Sequence, residues 1–78
     1  MTLRQMSRRR KTTIGDRIRR TRELRGISQA QFAKHFDVQQ SHVWKWESGM
    51  RVPRLSTLMR MADYLDVTLD ELVKGTGA

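Results

Sequence analysis

The sequence predicts an all-α domain of five short helices, and three observations carry that expectation. Residues 28–49, SQAQFAKHFDVQQSHVWKWESG, read as two helical segments around a three-residue turn. Two capping boxes, Ser28 with Gln31 and Thr68 with Glu71, mark helix starts, because each pair can satisfy one another's free backbone N–H groups. Apolar residues recur at three- and four-residue spacing, and there is no strand signal.

Taken in order, residues 14–25 place Ile14, Ile18 and Leu24 on one expected face with Thr21 between them. Arg17, Arg19, Arg20, Arg22 and Arg25 ring that face, and Gly26 supplies the stop. Ser28 opens a second helix whose buried face is expected to be Phe32, Ala33 and Phe36. Asp37, Val38 and Gln39 break the period at a residue type that tolerates the left-handed conformation. A third helix restarts at Gln39 or Gln40 and runs to about Ser48, before Gly49. Residues 50–55 form a loop around Pro53. Leu58, Met61, Ala62 and Leu65 are the inner face of a fourth helix, and a fifth runs from the Thr68 box to Gly75. Ile18, Leu24, Phe32, Phe36, Val43, Trp46, Leu58, Leu65, Val67, Leu69 and Leu72 are expected to share one core, with methionines as filler.

The third helix carries the functional information. With Gln40 at 0° and about 100° per residue, Val43 and Trp46 fall near 300° and 240°, a narrow apolar stripe that must face a core. The opposite side carries Ser41, Trp44, Lys45 and Ser48, with Gln40 at its leading edge. Glutamine and serine are short donor-acceptors suited to base edges, lysine reaches a guanine acceptor or a phosphate, and a helix fits the major groove of B-DNA. These residues make the helix a candidate recognition helix.

Charge agrees with an anionic partner. The 78 residues carry a formal charge of +8, and residues 1–25 hold ten Lys/Arg against only Asp16 and Glu23. The basic segment lacks the bulky apolar face of an interfacial helix, so nucleic acid is favoured over a membrane. Residues 1–13, with Arg8, Arg9, Arg10 and Lys11, show no periodicity and read as a disordered basic arm able to touch phosphates. Neither a membrane span nor a secretory signal is expected. The absence of cysteine excludes disulfides and thiol chemistry, and fits a reducing cytoplasm. His35 and His42, seven apart with no third ligand, are not expected to hold a metal. Asp70 and Glu71 are adjacent on a helix and do not face each other as a catalytic acid pair would. No catalytic set and no cofactor site is expected, so an enzyme is the least supported class.

The stretch SQAQFAKHFDVQQSHVWKWESG resembles the helix-turn-helix of the Cro and phage-repressor (Xre-like) regulators. The likeness continues through GMRVPRLSTLMRMADYLDVTLDELVKG and covers residues 14–75. Gln29, Ala33, Val38, Val43, Glu47, Gly49 and Pro53 stand where the family pattern has those types. Asp37 and Asp66 replace glycines usual at two turns, and Trp44 stands where a small or polar residue is usual. The resemblance implies a five-helix, lambda-repressor-like domain over residues 14–75, with residues 1–13 as the arm and 76–78 as a tail. It also implies an ion pair between Arg22 and Glu47 that joins the first helix to the end of the third.

The function expected is sequence-specific recognition of double-stranded DNA, with repression by a homodimer on a pseudo-palindromic operator as the implied outcome. Gln40, Ser41, Trp44 and Lys45 are the expected base readers. Gln29, Ser48, Arg51, Arg54 and the arm residues Arg8, Arg9, Arg10 and Lys11 are the expected phosphate contacts. Dimerisation is expected through Leu55, Tyr64 or Val67. The setting implied is the cytoplasm and nucleoid of a prokaryote, or of a phage host. Two alternatives keep the fold: an antitoxin that binds a toxin partner and autoregulates, and a restriction-modification controller.

Overall fold

The computed structural model describes residues 13–73. Five helices succeed one another: α1 (Ile14–Leu24), α2 (Gln29–Phe36), α3 (Gln40–Ser48), α4 (Leu55–Leu65) and α5 (Leu69–Val73). The described residues contain no strand. The basic arm up to residue 12, the expected helix end at Gly75 and the tail at 76–78 lie outside the described residues.

Both expected capping boxes form. The Ser28 and Thr68 hydroxyls accept the Gln31 and Glu71 backbone N–H groups at 3.0 Å each. The reciprocal side-chain oxygens accept the Ser28 and Thr68 N–H groups at 2.8 Å. A third box starts α1: Thr13 Oγ1 accepts the Asp16 N–H at 3.0 Å, and Asp16 Oδ2 accepts the Thr13 N–H at 3.2 Å. Thr13, assigned to the arm by sequence, is therefore the N-cap of the domain. Leu55, read as loop, is the first residue of α4.

The two aspartates at the turns adopt the left-handed conformation expected of them, Asp37 at φ 57° and Asp66 at φ 59°. Each closes its helix with the same pair of bonds. Val38 N–H donates to the Ala33 carbonyl at 3.0 Å and Asp37 N–H to that of Lys34 at 3.2 Å, while Val67 donates to Ala62 at 3.0 Å and Asp66 to Asp63 at 3.2 Å. These bonds satisfy carbonyls that the helix leaves open at its end.

The core gathers Ile18, Phe32, Ala33, Phe36, Val43, Trp46, Leu58, Met61, Ala62, Leu65 and Leu72, with Val67 and Leu69 half-buried against it. Phe36 sits at its centre, 4.8 Å from the Phe32 ring and 6.2 Å edge-on from that of Trp46. Leu24 is the exception to the expected core. It is 79% exposed, and Arg22 is buried in its place. The reason is geometric: Leu24 lies about 240° around the helix from Ile18, whereas Arg22 lies only about 40° away.

Gly15 makes α1 and α3 meet backbone to backbone. A Cβ built there would lie 2.5 Å from the Trp46 carbonyl oxygen and 2.6 Å from that of Glu47. Two arginines of the α1 segment reach the opposite end of the bundle. Arg25 donates to the Leu65 carbonyl at 2.7 Å and to that of Asp66 at 3.0 Å, and Arg17 donates to the carbonyl of Glu71. The Gly15 approach seats α3 on α1, while the arginines tie α1 to the ends of α4 and α5.

Candidate nucleic-acid interface

Burying Arg22 requires a partner, since an uncompensated charge in a core is strongly destabilising. Glu47, buried on α3 beside Val43 and Trp46, provides it. Arg22 Nε donates to Glu47 Oε2 at 2.6 Å and its terminal nitrogen to Oε1 at 3.1 Å, a bidentate pair. A further guanidinium N–H donates to the Ile27 carbonyl at 2.8 Å. The implied ion pair is thus present, and it joins α1 to the last turn of α3.

The pair extends into a polar relay. Glu47 Oε1 also accepts from Gln29 Nε2 at 3.0 Å, and Gln29 Oε1 accepts from Gln40 Nε2 at 3.3 Å. Chemistry dictates the direction, because an ionised carboxylate only accepts and so the Gln29 amide must turn its nitrogen inward. Its oxygen then faces Gln40. The relay runs from the buried guanidinium to the first residue of α3 and presets the Gln40 amide, whose oxygen and second N–H stay available outward. A phosphate contact, as expected of Gln29, calls for an exposed amide. The structure corrects this, placing it half-buried with both ends of its amide engaged.

Among the expected base readers, Gln40, Ser41 and Trp44 are exposed on one side of α3, and Lys45 is half-buried at its edge. Ser48 is exposed one turn beyond Trp44, its hydroxyl donating to the Lys45 carbonyl at 3.3 Å. The next loop carries Arg51 and Arg54, both exposed. Arg51 N–H donates to the Lys45 carbonyl at 3.1 Å, so this arginine is tied to the end of α3. The structure therefore brings Gln29, Gln40, Ser41, Trp44, Lys45, Ser48 and Arg51 onto or beside one helix, with Arg54 at the start of the next. Arg8, Arg9, Arg10 and Lys11 lie outside the described residues.

Arg19 was missed. It shares a recess of about 110 Å³ with Gln29, Trp44, Glu47 and Ser48, which adds a cation to the α3 side. Its 3.9 Å approach to Asp16 is exposed and weak. The missed signal was its place three residues before Arg22, on the same side of α1. The histidines serve as aromatic partners: His35 stacks on Tyr64 at 3.7 Å, and His42 meets Trp46 at 4.7 Å. Among the described residues no group of three His, Cys, Asp or Glu could hold a metal ion.

A polar, cation-flanked helix locked onto a small helical bundle defines a class, and comparison with known proteins agrees. A family model described as HTH_3, helix-turn-helix, matches residues 18–72. The chain belongs to this family of Cro/phage-repressor-type transcription regulators, which is not an enzyme class. The chain is 34% identical over 65 residues to the SPbeta prophage-derived uncharacterized HTH-type transcriptional regulator YonR of Bacillus subtilis, covering 83% of this chain and 60% of YonR. It is 32% identical over 59 residues to the cryptic phage CTXphi transcriptional repressor RstR of Vibrio cholerae, covering 76% of this chain and 53% of RstR. This chain thus spans little more than half the length of those two relatives. Among solved structures, the P22 c2 repressor in complex with synthetic operator 9T matches with a TM-score of 0.72 and 30% identity, over 82% of this chain and 97% of that one.

Proposed function

We propose that this chain binds a pseudo-palindromic DNA operator as a homodimer and represses transcription by occluding it. The observation that carries the proposal is the relay from Arg22 through Glu47 and Gln29 to Gln40, which holds α3 with its polar side outward. A preset amide loses less freedom on binding than a mobile one. In this reading Gln40, Ser41, Trp44 and Lys45 meet base edges, with the Gln40 amide suited to adenine and Lys45 to guanine. Gln29 (through its second N–H), Ser48, Arg51, Arg54, Arg19 and the arm cations meet phosphates and set register. The similarity to RstR and to the operator-bound P22 c2 repressor supports repression. The place of action is the nucleoid in the cytoplasm.

The surface that supports a homodimer keeps Leu55 from the expected set but not Tyr64 or Val67. Tyr64 is half-buried against Phe32, Phe36 and His35, and Val67 packs on the core. Met50, Val52, Leu55 and Met59 are instead each more than half exposed, in and just after the loop beyond α3. Apolar side chains clustered beside the recognition helix suit a weak two-fold contact that DNA consolidates.

The experiment is selection of bound duplexes from a random pool at stated salt. It should enrich two inverted half-sites roughly 10 base pairs apart, occupied by two chains. Gln40→Ala or Lys45→Ala should relax one base pair per half-site by about 1 to 3 kcal/mol, whereas Arg51→Ala weakens all sequences alike. A site without inverted repeats, bound by one chain, would refute the homodimer. No enrichment at all would refute operator binding.

A further inference from the structure

We infer that Trp44 reads the 5-methyl group of a pyrimidine, which makes binding by this chain responsive to cytosine methylation as well as to thymine. The inference rests on the operator-binding reading above and deepens it.

Trp44 is 49% exposed and is not part of the core. On α3 it falls about 40° from both Gln40 and Ser48, so it sits within the polar side rather than at its margin. Nothing in the fold requires an indole there, since Val43, Trp46 and Glu47 already make the buried side of the helix. The recess beside it is lined by Arg19, Gln29, Glu47 and Ser48, which are polar or charged. That recess is no seat for an alkyl group, so the apolar surface on offer is the exposed face of the ring itself.

Base edges in the major groove present acceptors, donors and a single apolar group, the C5 methyl of thymine. An indole laid over a guanine or an unmodified cytosine edge would strip water from polar atoms without replacing their hydrogen bonds, which is unfavourable. Over a C5 methyl it removes only apolar surface from water. The match is therefore to a methylated pyrimidine.

5-Methylcytosine carries the same methyl in the same place and differs from thymine at C4, where an amino donor replaces a carbonyl acceptor. Discrimination between the two needs neighbours that all donate or all accept. The neighbours of Trp44 offer both kinds of group: Gln40 an amide with an oxygen and a second N–H, Ser48 an oxygen that can accept while its hydrogen goes to the Lys45 carbonyl, and Arg19 and Lys45 donors. The methyl contact then dominates at that position.

The test uses the full chain and the operator enriched from the random pool. Each thymine is replaced in turn by deoxyuridine, which keeps base pairing and removes the methyl. At the position so found, cytosine and 5-methylcytosine duplexes are compared. One position per half-site should show thymine and 5-methylcytosine bound alike, with uracil and cytosine weaker by about threefold to tenfold. Trp44→Ser should level the four while leaving the preferences set by Gln40 and Lys45 in place. Trp44→Phe, which keeps an apolar ring, should retain the methyl preference and guards against a folding defect in the serine variant. If wild-type protein binds uracil and thymine duplexes equally at every position, or if the preference persists in Trp44→Ser, the inference is overturned with operator binding intact. If no duplex is enriched, both readings fall together.

Discussion

α2–turn–α3 and α4–turn–α5 end their first helices identically: alanine, three residues, aspartate and valine, with the same left-handed aspartate and the same two backbone bonds. The helices beyond the two turns differ. α3 has nine residues, no acidic residue in its first turn, and an outward side of amides, hydroxyls, lysine and tryptophan. α5 has five residues through Val73 and opens with Asp70 and Glu71. Those carboxylates suit the positive end of a helix and would repel a phosphate. The two turns thus close alike, and the next helix decides whether the unit presents a polar, cationic side or an acidic start. The two units also differ in how the second helix is held, α3 by a buried ion pair and α5 by the buried side chain of Leu72 and a hydrogen bond from Arg17 to the Glu71 carbonyl.

The ion pair is the place to break this contrast with the largest effect. Arg22→Met or Glu47→Leu alone leaves a buried charge uncompensated and should cost about 3 to 5 kcal/mol by chemical denaturation. The double variant should lose much less than the sum of the singles, which a double-mutant cycle measures. It should nevertheless bind DNA poorly, because Gln29 loses the acceptor that orients it. A coupling energy near zero would mean that α3 is held by packing alone.

Gly15→Ala tests the second hold on α3. In an open helix this change stabilises by about 1 kcal/mol. Here the new methyl meets two backbone oxygens that cannot swing away, so the sign should reverse to a net loss of about 2 kcal/mol. A stabilised variant would show that α1 does not seat directly on α3.

The matched turns give a smaller effect. Asp37→Gly and Asp66→Gly should each stabilise by about 1 kcal/mol or less, since glycine adopts the left-handed region without steric penalty. Thermal melts should shift equally for the two. Clearly unequal shifts would show that the turns only look alike.

The smallest effect separates α5 from α3 by pH. The Thr68 backbone N–H and then its hydroxyl hold the Glu71 carboxyl below its usual 4.5. A lowered carboxylate stabilises the folded form fully above the unfolded value, and that contribution fades as pH falls through the folded one. Protection of the α5 amides, relative to their intrinsic exchange at each pH, should therefore fall on acidification below about pH 4.5, but not in Glu71→Gln. The first turn of α3 has no such group and should not respond in this way.

Where local chemistry decides, the sequence was sufficient. Ser28, Thr68, Asp37, Asp66 and Gly49 act at the backbone next to them, so their residue types alone locate three helix boundaries and two turns. It misled where distant partners decide. Leu24 was expected in the core place of Arg22 because apolarity outweighed angle; a charge enters a core only with a partner, here Glu47, 25 positions away, which the family resemblance and not the local pattern supplied. Nothing next to Gly15 in sequence marks it, since its role rests on the carbonyls of Trp46 and Glu47. The Thr13 box escaped because its third residue is aspartate, where the longer glutamate or glutamine is the usual signal. At the site, outward residues of α3 were legible from periodicity, whereas the Gln29 amide was not. Its orientation is set by a carboxylate on another helix.

The reach of Arg17 and Arg25 has a mechanical consequence. Arg17 and Glu71, 54 positions apart, are hydrogen-bonded to each other, so α1 and α5 lie side by side as the first and last helices of the bundle. A tether pulling on Thr13 and Val73 would load that seam and the Arg25 contacts before any load reached the α2–α3 unit. Under a slow force ramp the first extension should be short, the length of α1 or α5 peeling away, with the rest yielding at higher force. A single extension spanning the whole domain would contradict this order. The seam would then act as a sacrificial link, protecting the α2–α3 pair when Thr13 and Val73 are pulled apart.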